Sequence, residues 1–334
     1  MLKIAVLGTG RIGRMHVDNI VAHPKAKLAG VFDVNNAVAQ EVAGKHHAKQ
    51  FSSVEDVLNA SEVDAVLIAT STATHADLIE QAVAAKKAIF CEKPIDLSLD
   101  RVKSCEQKIK GTNIPIMLGF VRRFDKGHRA VRTSIEAGAI GDLHQVIITS
   151  RDPDMAPDAY IEVSGGIFRD MTIHDFDMAR FILGENITEV SATGSRLVNN
   201  ALMERCNDYD TVTIVLKTAS GKQCIINNSR RAVYGYDQRV EAFGSKGMAI
   251  SENHPMNNMR LYAENFTDQK PALMNFFIDR YGEAFNNEIS SFVDAVEQGK
   301  NPEVGFEDGK QALMLAEAAS RSILEKRIIR LDEI

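Results

Sequence analysis

Apolar and polar positions follow two rhythms along roughly the first third of the chain. Short, mostly apolar runs at Leu2 to Leu7, Leu28 to Phe32, Asp64 to Ala69, Ala88 to Cys91 and Ile114 to Leu118 read as buried strands. Between them the spacing is helical, at Ile12 to Val21, Asn36 to Lys45, Val54 to Asn59, a stretch ending near Ala85, and Leu99 to Ile109. Strand alternating with helix predicts a doubly wound parallel sheet over residues 1–120, with ligand outside the carboxyl ends of the strands.

Beyond that point the rhythm changes. A helix to about Ala137 gives way to strands at His144 to Ser150, Thr188 to Gly194, Thr211 to Lys217, Gln223 to Ser229, Arg239 to Phe243 and Met259 to Tyr262. Val212, Ile214 and Leu216 alternate with Thr211, Thr213 and Val215, so one face of that sheet is the more buried. Gly221 and the Gly244 to Gly247 stretch mark hairpin turns. Residues 121–334 therefore read as an α+β domain with a large, mostly antiparallel sheet, closed by helices from about Ala272 to Gln298 and from Phe306 to Leu324.

The strand ends carry the candidate chemistry. Gly8-Thr9-Gly10-Arg11-Ile12-Gly13 follows the first strand and opens the first helix, which is the context in which G-x-G-x-x-G marks a Rossmann dinucleotide site. The first glycine makes the turn, the second lets backbone approach a pyrophosphate, and the third lets helix and strand pack closely. Asp33 lies twenty residues after Gly13, at the end of the second strand, where a carboxylate accepts ribose hydroxyls and repels a 2′-phosphate. Val34 and Asn35 follow with no basic residue, so the expected cofactor is NAD; the bland alternative is that Asp33 caps the next helix. Within the loops 8–13, 70–75 and 91–94, the candidate cofactor contacts are Gly8, Gly10, Arg11, Ile12, Gly13, Thr70, Ser71, His75, Glu92 and Lys93, together with Asp33. His75 either touches the nicotinamide ribose or caps a helix.

Lys93 sits between Glu92 and Pro94, and the proline holds it extended at a strand mouth. A lysine beside a cationic nicotinamide is poised for proton transfer, whereas a solvated loop lysine does nothing. Farther on, a helix running from about Asp170 would put Asp170, His174 and Asp177 on one face, with Met171, Met178 and Ile182 on another. A carboxylate one turn from an imidazole orients it for general base work, but Asp170 as a helix cap and His174 as a core histidine are equally simple readings.

Composition narrows the field. A chain of 334 residues, 45% hydrophobic and 25% charged, has the length for two domains and a sizeable core. A net charge of −6 without a polybasic tract argues against nucleic acid or a membrane surface as partner. No apolar stretch approaches the about 20 residues that cross a bilayer, and the apolar N-terminus reads as a strand instead of a signal peptide. Cys91, Cys105, Cys206 and Cys224 have no C-x-x-C or zinc spacing, which suggests reduced thiols in a cytoplasm and no metal site.

Together, the glycine turn, Asp33, Glu92-Lys93-Pro94 and Gly165-Gly166 followed by Asp170-x-x-x-His174 resemble the Gfo/Idh/MocA oxidoreductase family along the full chain. Within it, Arg122 to Asp125, Ser150 to Pro153, Asp170 to Arg180 and Tyr234 to Arg239 resemble members that act on inositol. The resemblance implies a catalytic set of Lys93, Asp170 and His174. His174 would take the proton of the C2 hydroxyl of myo-inositol, and the hydride would pass to NAD, leaving 2-keto-myo-inositol. Lys93 would bind the reacting oxygen, and Asp170 would keep the pair in register. Arg123, Asp152, Asp177 and Tyr236 would contact other parts of the polyol. The resemblance also implies a homotetramer formed through the open face of the second sheet. The rival expectations are a dehydrogenase of another inositol or an aldose, and a cofactor-bound regulator that has no need of the catalytic set.

Overall fold

The computed structural model describes all residues, 1–334. The chain divides into two compact units, Met1–Val121 with Phe285–Leu313, and Arg122–Ala284 with Met314–Ile334.

In the first unit, β1 (Leu2–Leu7), α1 (Arg11–Ala22), β2 (Ala26–Phe32), α2 (Asn36–Lys45), α3 (Val54–Asn59), β3 (Ala65–Ile68), α4 (His75–Ala84), β4 (Ala88–Cys91), α5 (Leu99–Ile109) and β5 (Ile116–Leu118) follow in order. The five strands form one parallel sheet in the order β2-β1-β3-β4-β5. Strands β3 and β4 are buried along their whole length, as their apolar runs require. Local chemistry sets the helix starts: the side chains of Asn35, Ser53 and Ser98 accept the first free N–H groups of α2, α3 and α5. The strand order reverses at β1 and β3, so the loops after these two strands are the expected ligand crevice.

The second unit holds α6 (Lys126–Glu136), β6 (Leu143–Arg151), α7 (Asp158–Ile161), α8 (Ile167–Asp170), α9 (Ile173–Leu183), β7 (Ile187–Ser195), α10 (Asn200–Arg205), β8 (Thr211–Thr218), β9 (Gln223–Ser229), β10 (Asp237–Gly244), β11 (Gly247–Ser251), β12 (Leu261–Ala263) and β13 (Phe266–Gln269). Helices α11 (Phe277–Gln298) and α12 (Phe306–Glu325) and strand β14 (Ile329–Arg330) complete the chain. Its sheet runs β11-β10-β6-β9-β8-β7-β14, antiparallel except between β6 and β9. Strand β8 alternates buried and exposed residues, and Gly221 turns the β8–β9 hairpin at φ +92°.

Two differences from the sequence reading have physical causes. Residues 272–276 are not helical, and α11 begins at Phe277; Ala272 instead gives its carbonyl to the N–H of Met256. The segment Phe285–Leu313 belongs to the first unit, where Phe292 packs edge-on against Phe90 and Lys310 pairs with Glu106 at 2.6 Å. No helix is long and apolar enough to cross a membrane.

Candidate active site

The cofactor half is built on the turn after β1. Gly8 has φ +90°, and a Cβ there would lie 2.5 Å from the Ala69 carbonyl oxygen; one at Gly13 would lie 1.9 Å from the carbonyl oxygen of Gly8. Any side chain at either position would force the turn open. A Cβ at Gly10 meets nothing within 4 Å, which leaves a bare backbone surface at the start of α1. Unpaired N–H groups at such a helix start suit a pyrophosphate. Asp33, at the end of β2, accepts the Thr9 N–H at 2.7 Å and the Asn35 N–H at 2.8 Å, so its carboxylate is anchored beside the turn. It caps no helix; Asn35 does that.

The β3 and β4 loops are tied inward. Thr70 and Thr74 hydroxyls lie 2.7 Å apart, and Thr74 donates to the Ser71 carbonyl. His75 is buried, its ring nitrogens 2.8 Å from the Pro94 carbonyl oxygen and 3.1 Å from that of Thr70. It thereby joins the loops that carry Ser71 and Lys93. Glu92 lies 2.7 Å from the buried His16 imidazole, and its carboxylate fills the space that a side chain at Gly119 would need. Glu288, fully buried on α11, brings a carboxylate oxygen within 4.8 Å of both, and burial, then the charge of Glu92, push its carboxyl well above the usual range. Lys93 is half-buried and joined to Pro94 by a cis peptide.

In the second unit, the single helix expected from Asp170 onward is interrupted. Asp170 ends α8, and His174 and Asp177 lie on α9. At the junction the Thr172 N–H reaches back to the Ile167 carbonyl, five residues away, and the His174 N–H only to Met171. Asp170 and Asp177 consequently take different partners. Asp177 and Arg123, both expected at the substrate, form a buried bidentate pair at 2.8 and 2.5 Å. Tyr160 and Arg230 hold Asp170. The apolar residues Met171, Met178 and Ile182 are buried, as their spacing suggested.

Around this stretch lies a charged core. Arg122 donates to Asp175 at 2.6 Å; Asp175 also accepts from Asn228, and Asn228 in turn accepts from the Thr172 hydroxyl at 2.6 Å. Burial pushes the Asp175 carboxyl up while Arg122 pulls it down. Burial and then the charge of Asp170 push Asp152 up to about 6. Tyr236 is buried, its ring edge-on to Tyr281. Arg230, Asp208 and Asp175 carried no local signal, because each matters through a partner far along the chain, and Tyr160 meets Asp170 only across the loop between α7 and α8.

The arrangement in each unit can be compared with known proteins. A family model described as an oxidoreductase family with an NAD-binding Rossmann fold matches residues 2–120, and one described as the GFO/IDH/MocA C-terminal domain matches residues 128–250. An inositol 2-dehydrogenase of Rhizobium meliloti is 48% identical, over 98% of this chain and 98% of its own. The crystal structure of a myo-inositol dehydrogenase from Corynebacterium glutamicum is 42% identical, covers 99% of each chain and superimposes with a TM-score of 0.96. A myo-inositol dehydrogenase from Lactobacillus casei, in complex with NAD(H) and myo-inositol, is 26% identical with a TM-score of 0.88 and covers 99% of this chain and 96% of its own.

Proposed function

The chain belongs to the GFO/IDH/MocA family of oxidoreductases with an NAD-binding Rossmann fold, and from that premise we propose that it oxidises myo-inositol at the C2 hydroxyl to 2-keto-myo-inositol. Supporting the substrate are the names and bound ligand of the relatives above. The observation that carries an enzyme over a regulator is the presence of Lys93, Asp170 and His174 together with an NAD-type turn. A protein that only senses its cofactor needs no general base.

The open backbone at Gly10 and the anchored Asp33 fit a dinucleotide. Gly8, Gly10, Arg11, Ile12 and Gly13 hold its phosphates, Asp33 the adenosine ribose, and Thr70, Ser71 and Lys93 the nicotinamide end. When bound, NAD would supply the hydride acceptor for the C2 carbon, so that the alcohol would become a ketone with release of one proton. His174 takes the hydroxyl proton on an imidazole nitrogen, and Lys93 Nζ donates a hydrogen bond to the reacting oxygen. Asp170 keeps the imidazole oriented. Asp152, Asp177, Arg123 and Tyr236 address the other hydroxyls, where a stereoisomer is rejected by leaving a buried polar group unpaired.

A homotetramer fits the open face of the second sheet. Paired residues carry an apolar stripe across five strands, from Ile250 past Glu241 to Ile147, Ile225 and Val215. Phe243 and Met248, paired on the same face, are exposed beside it. Four free thiols support a cytoplasmic location.

The test is a panel of myo-inositol, scyllo-inositol, chiro-inositol and glucose, each with NAD or NADP and followed by reduced-cofactor absorbance. Myo-inositol with NAD is expected to give the highest kcat/KM. A higher value for any other substrate, or no reduction at all, overturns the assignment.

A further inference from the structure

The two oxygens of Asp170 are held from opposite sides. The Tyr160 hydroxyl donates to Oδ1 at 2.7 Å, and Arg230 Nη1 donates to Oδ2 at 3.0 Å. Arg230 is among the most deeply buried large side chains in the molecule, and its other terminal nitrogen, Nη2, lies 3.4 Å from Asp208. Asp208 is itself anchored, because both its oxygens accept the Ile167 N–H that opens α8, at 3.0 and 3.1 Å. A Cβ on Gly166, which has φ +84°, would come within 2.9 Å of Asp208 Oδ1. The second glycine of the Gly165-Gly166 pair is therefore shaped to admit this carboxylate. The main chain of Arg230 is fixed as well: its N–H donates to the Asp210 carbonyl at 2.8 Å, and the Asp210 side chain accepts the N–H groups of Leu197, Val198 and Asn199.

We propose that Arg230, braced by Asp208, and Tyr160 are positioning residues that together fix the orientation of the Asp170 carboxylate. The inference rests on the reading of Asp170 as a member of the catalytic set. A guanidinium suits this place because its planar fork reaches two carboxylates at once, where an ammonium is a single point charge. Leaving the buried Asp208 or the largely enclosed Asp170 without its cation is unfavourable, which favours one arrangement of the network. Tyr160 adds direction from the opposite edge while its ring stays about half-exposed on the short helix α7.

The experiment uses the full chain with Arg230→Lys, Asp208→Asn, their double variant, Tyr160→Phe and, as reference, Asp170→Asn. Each is measured for kcat and KM with myo-inositol and NAD, and for NADH binding by fluorescence. Arg230→Lys is expected to lower kcat about 100-fold, as displacements near 1 Å do, with NADH affinity unchanged. Tyr160→Phe is expected to lower kcat about tenfold through loss of one hydrogen bond to a charged group. The double variant is expected to be scarcely worse than Arg230→Lys, because both changes break one brace. A purely structural role would lower the melting temperature and leave kcat per NADH-binding site intact. Wild-type kcat in both Arg230→Lys and Tyr160→Phe, with Asp170→Asn inactive, overturns the proposal alone. Wild-type kcat in Asp170→Asn removes the catalytic reading of Asp170 and this proposal with it. Tyr160→Phe, altered only at an exposed ring, decides the matter if Arg230→Lys does not fold.

Discussion

In the second unit the buried arginines are matched with acids: Arg122 with Asp175, Arg123 with Asp177, Arg280 with Asp125, and Arg230 with Asp170 and Asp208. In the first unit the buried carboxyl of Glu288 faces Glu92 and His16, and neither of its oxygens has a hydrogen-bond partner. The difference fits what each half is proposed to recognise. A dinucleotide can be bound by backbone N–H groups and a helix dipole, which are built into the turn after β1 and need little buried charge. A neutral polyol offers only hydroxyls, so its site needs many directed donors and acceptors. Those stay directed when opposite charges clamp them. Where charge is paired the geometry is fixed; where an acid is buried without a cation on its oxygens, burial favours its neutral form.

Four changes would break or sharpen this contrast. His174→Ala should lower turnover about 10²- to 10⁴-fold while NADH binding, a property of the first unit, stays nearly constant; steady-state rates beside a fluorescence titration check both. Removing one member of a clamped pair comes next. Asp175→Ala should destabilise the protein by about 3 to 5 kcal/mol, because it strands Arg122 in the core, and urea unfolding measures the loss. Asp33→Ala combined with Val34→Arg should move the NAD/NADP preference in kcat/KM by about 10- to 100-fold toward NADP, since hydrogen bonds to a charged carboxylate are exchanged for a phosphate-binding cation. An unaltered ratio would contradict the ribose assignment.

Glu288→Gln should have the smallest effect, and one whose sign depends on pH. Burial, followed by the charge of Glu92, raises the carboxyl from 4.5 in the folded state. Below that value folded and unfolded chains are both protonated, and the variant should melt with the wild type. As pH rises above it, the unfolded chain releases a proton that the folded chain retains, so wild-type stability declines until the folded group ionises too. The glutamine variant escapes this decline. Its melting temperature should therefore exceed that of the wild type by a margin that widens from acid toward neutral pH; a margin constant across the range would mean that Glu288 is ionised in the fold.

How much of this was legible depended on the distance between interacting residues. Helix α2 and strand β4 fall at the expected boundaries because a cap at Asn35 and an unbroken apolar run are properties of a few neighbouring residues. The glycine turn and Asp33 were likewise readable, since a strand, a tight turn and a helix leave little choice of geometry. The region after Gly166 misled for the same reason. Residue spacing suggested one helix through Asp170, His174 and Asp177, and nothing local announced that Thr172 would turn its hydroxyl toward Asn228. His75 and Glu92 were readable as residues at strand ends but not as side chains aimed into the protein, at Pro94 and His16.

By itself, the sequence determined the order of strands and helices in the first unit, the NAD-type turn and the chemical identities of Lys93, Asp170 and His174. These follow from hydrophobic period, capping and glycine stereochemistry, which act over a few residues. Only the tertiary structure decided that Arg230 would lie between Asp170 and Asp208, that Arg123 would grip Asp177, and that Glu288 would be buried opposite Glu92. Buried charges choose partners by proximity in space, and which residues become neighbours is set by how whole sheets and helices pack.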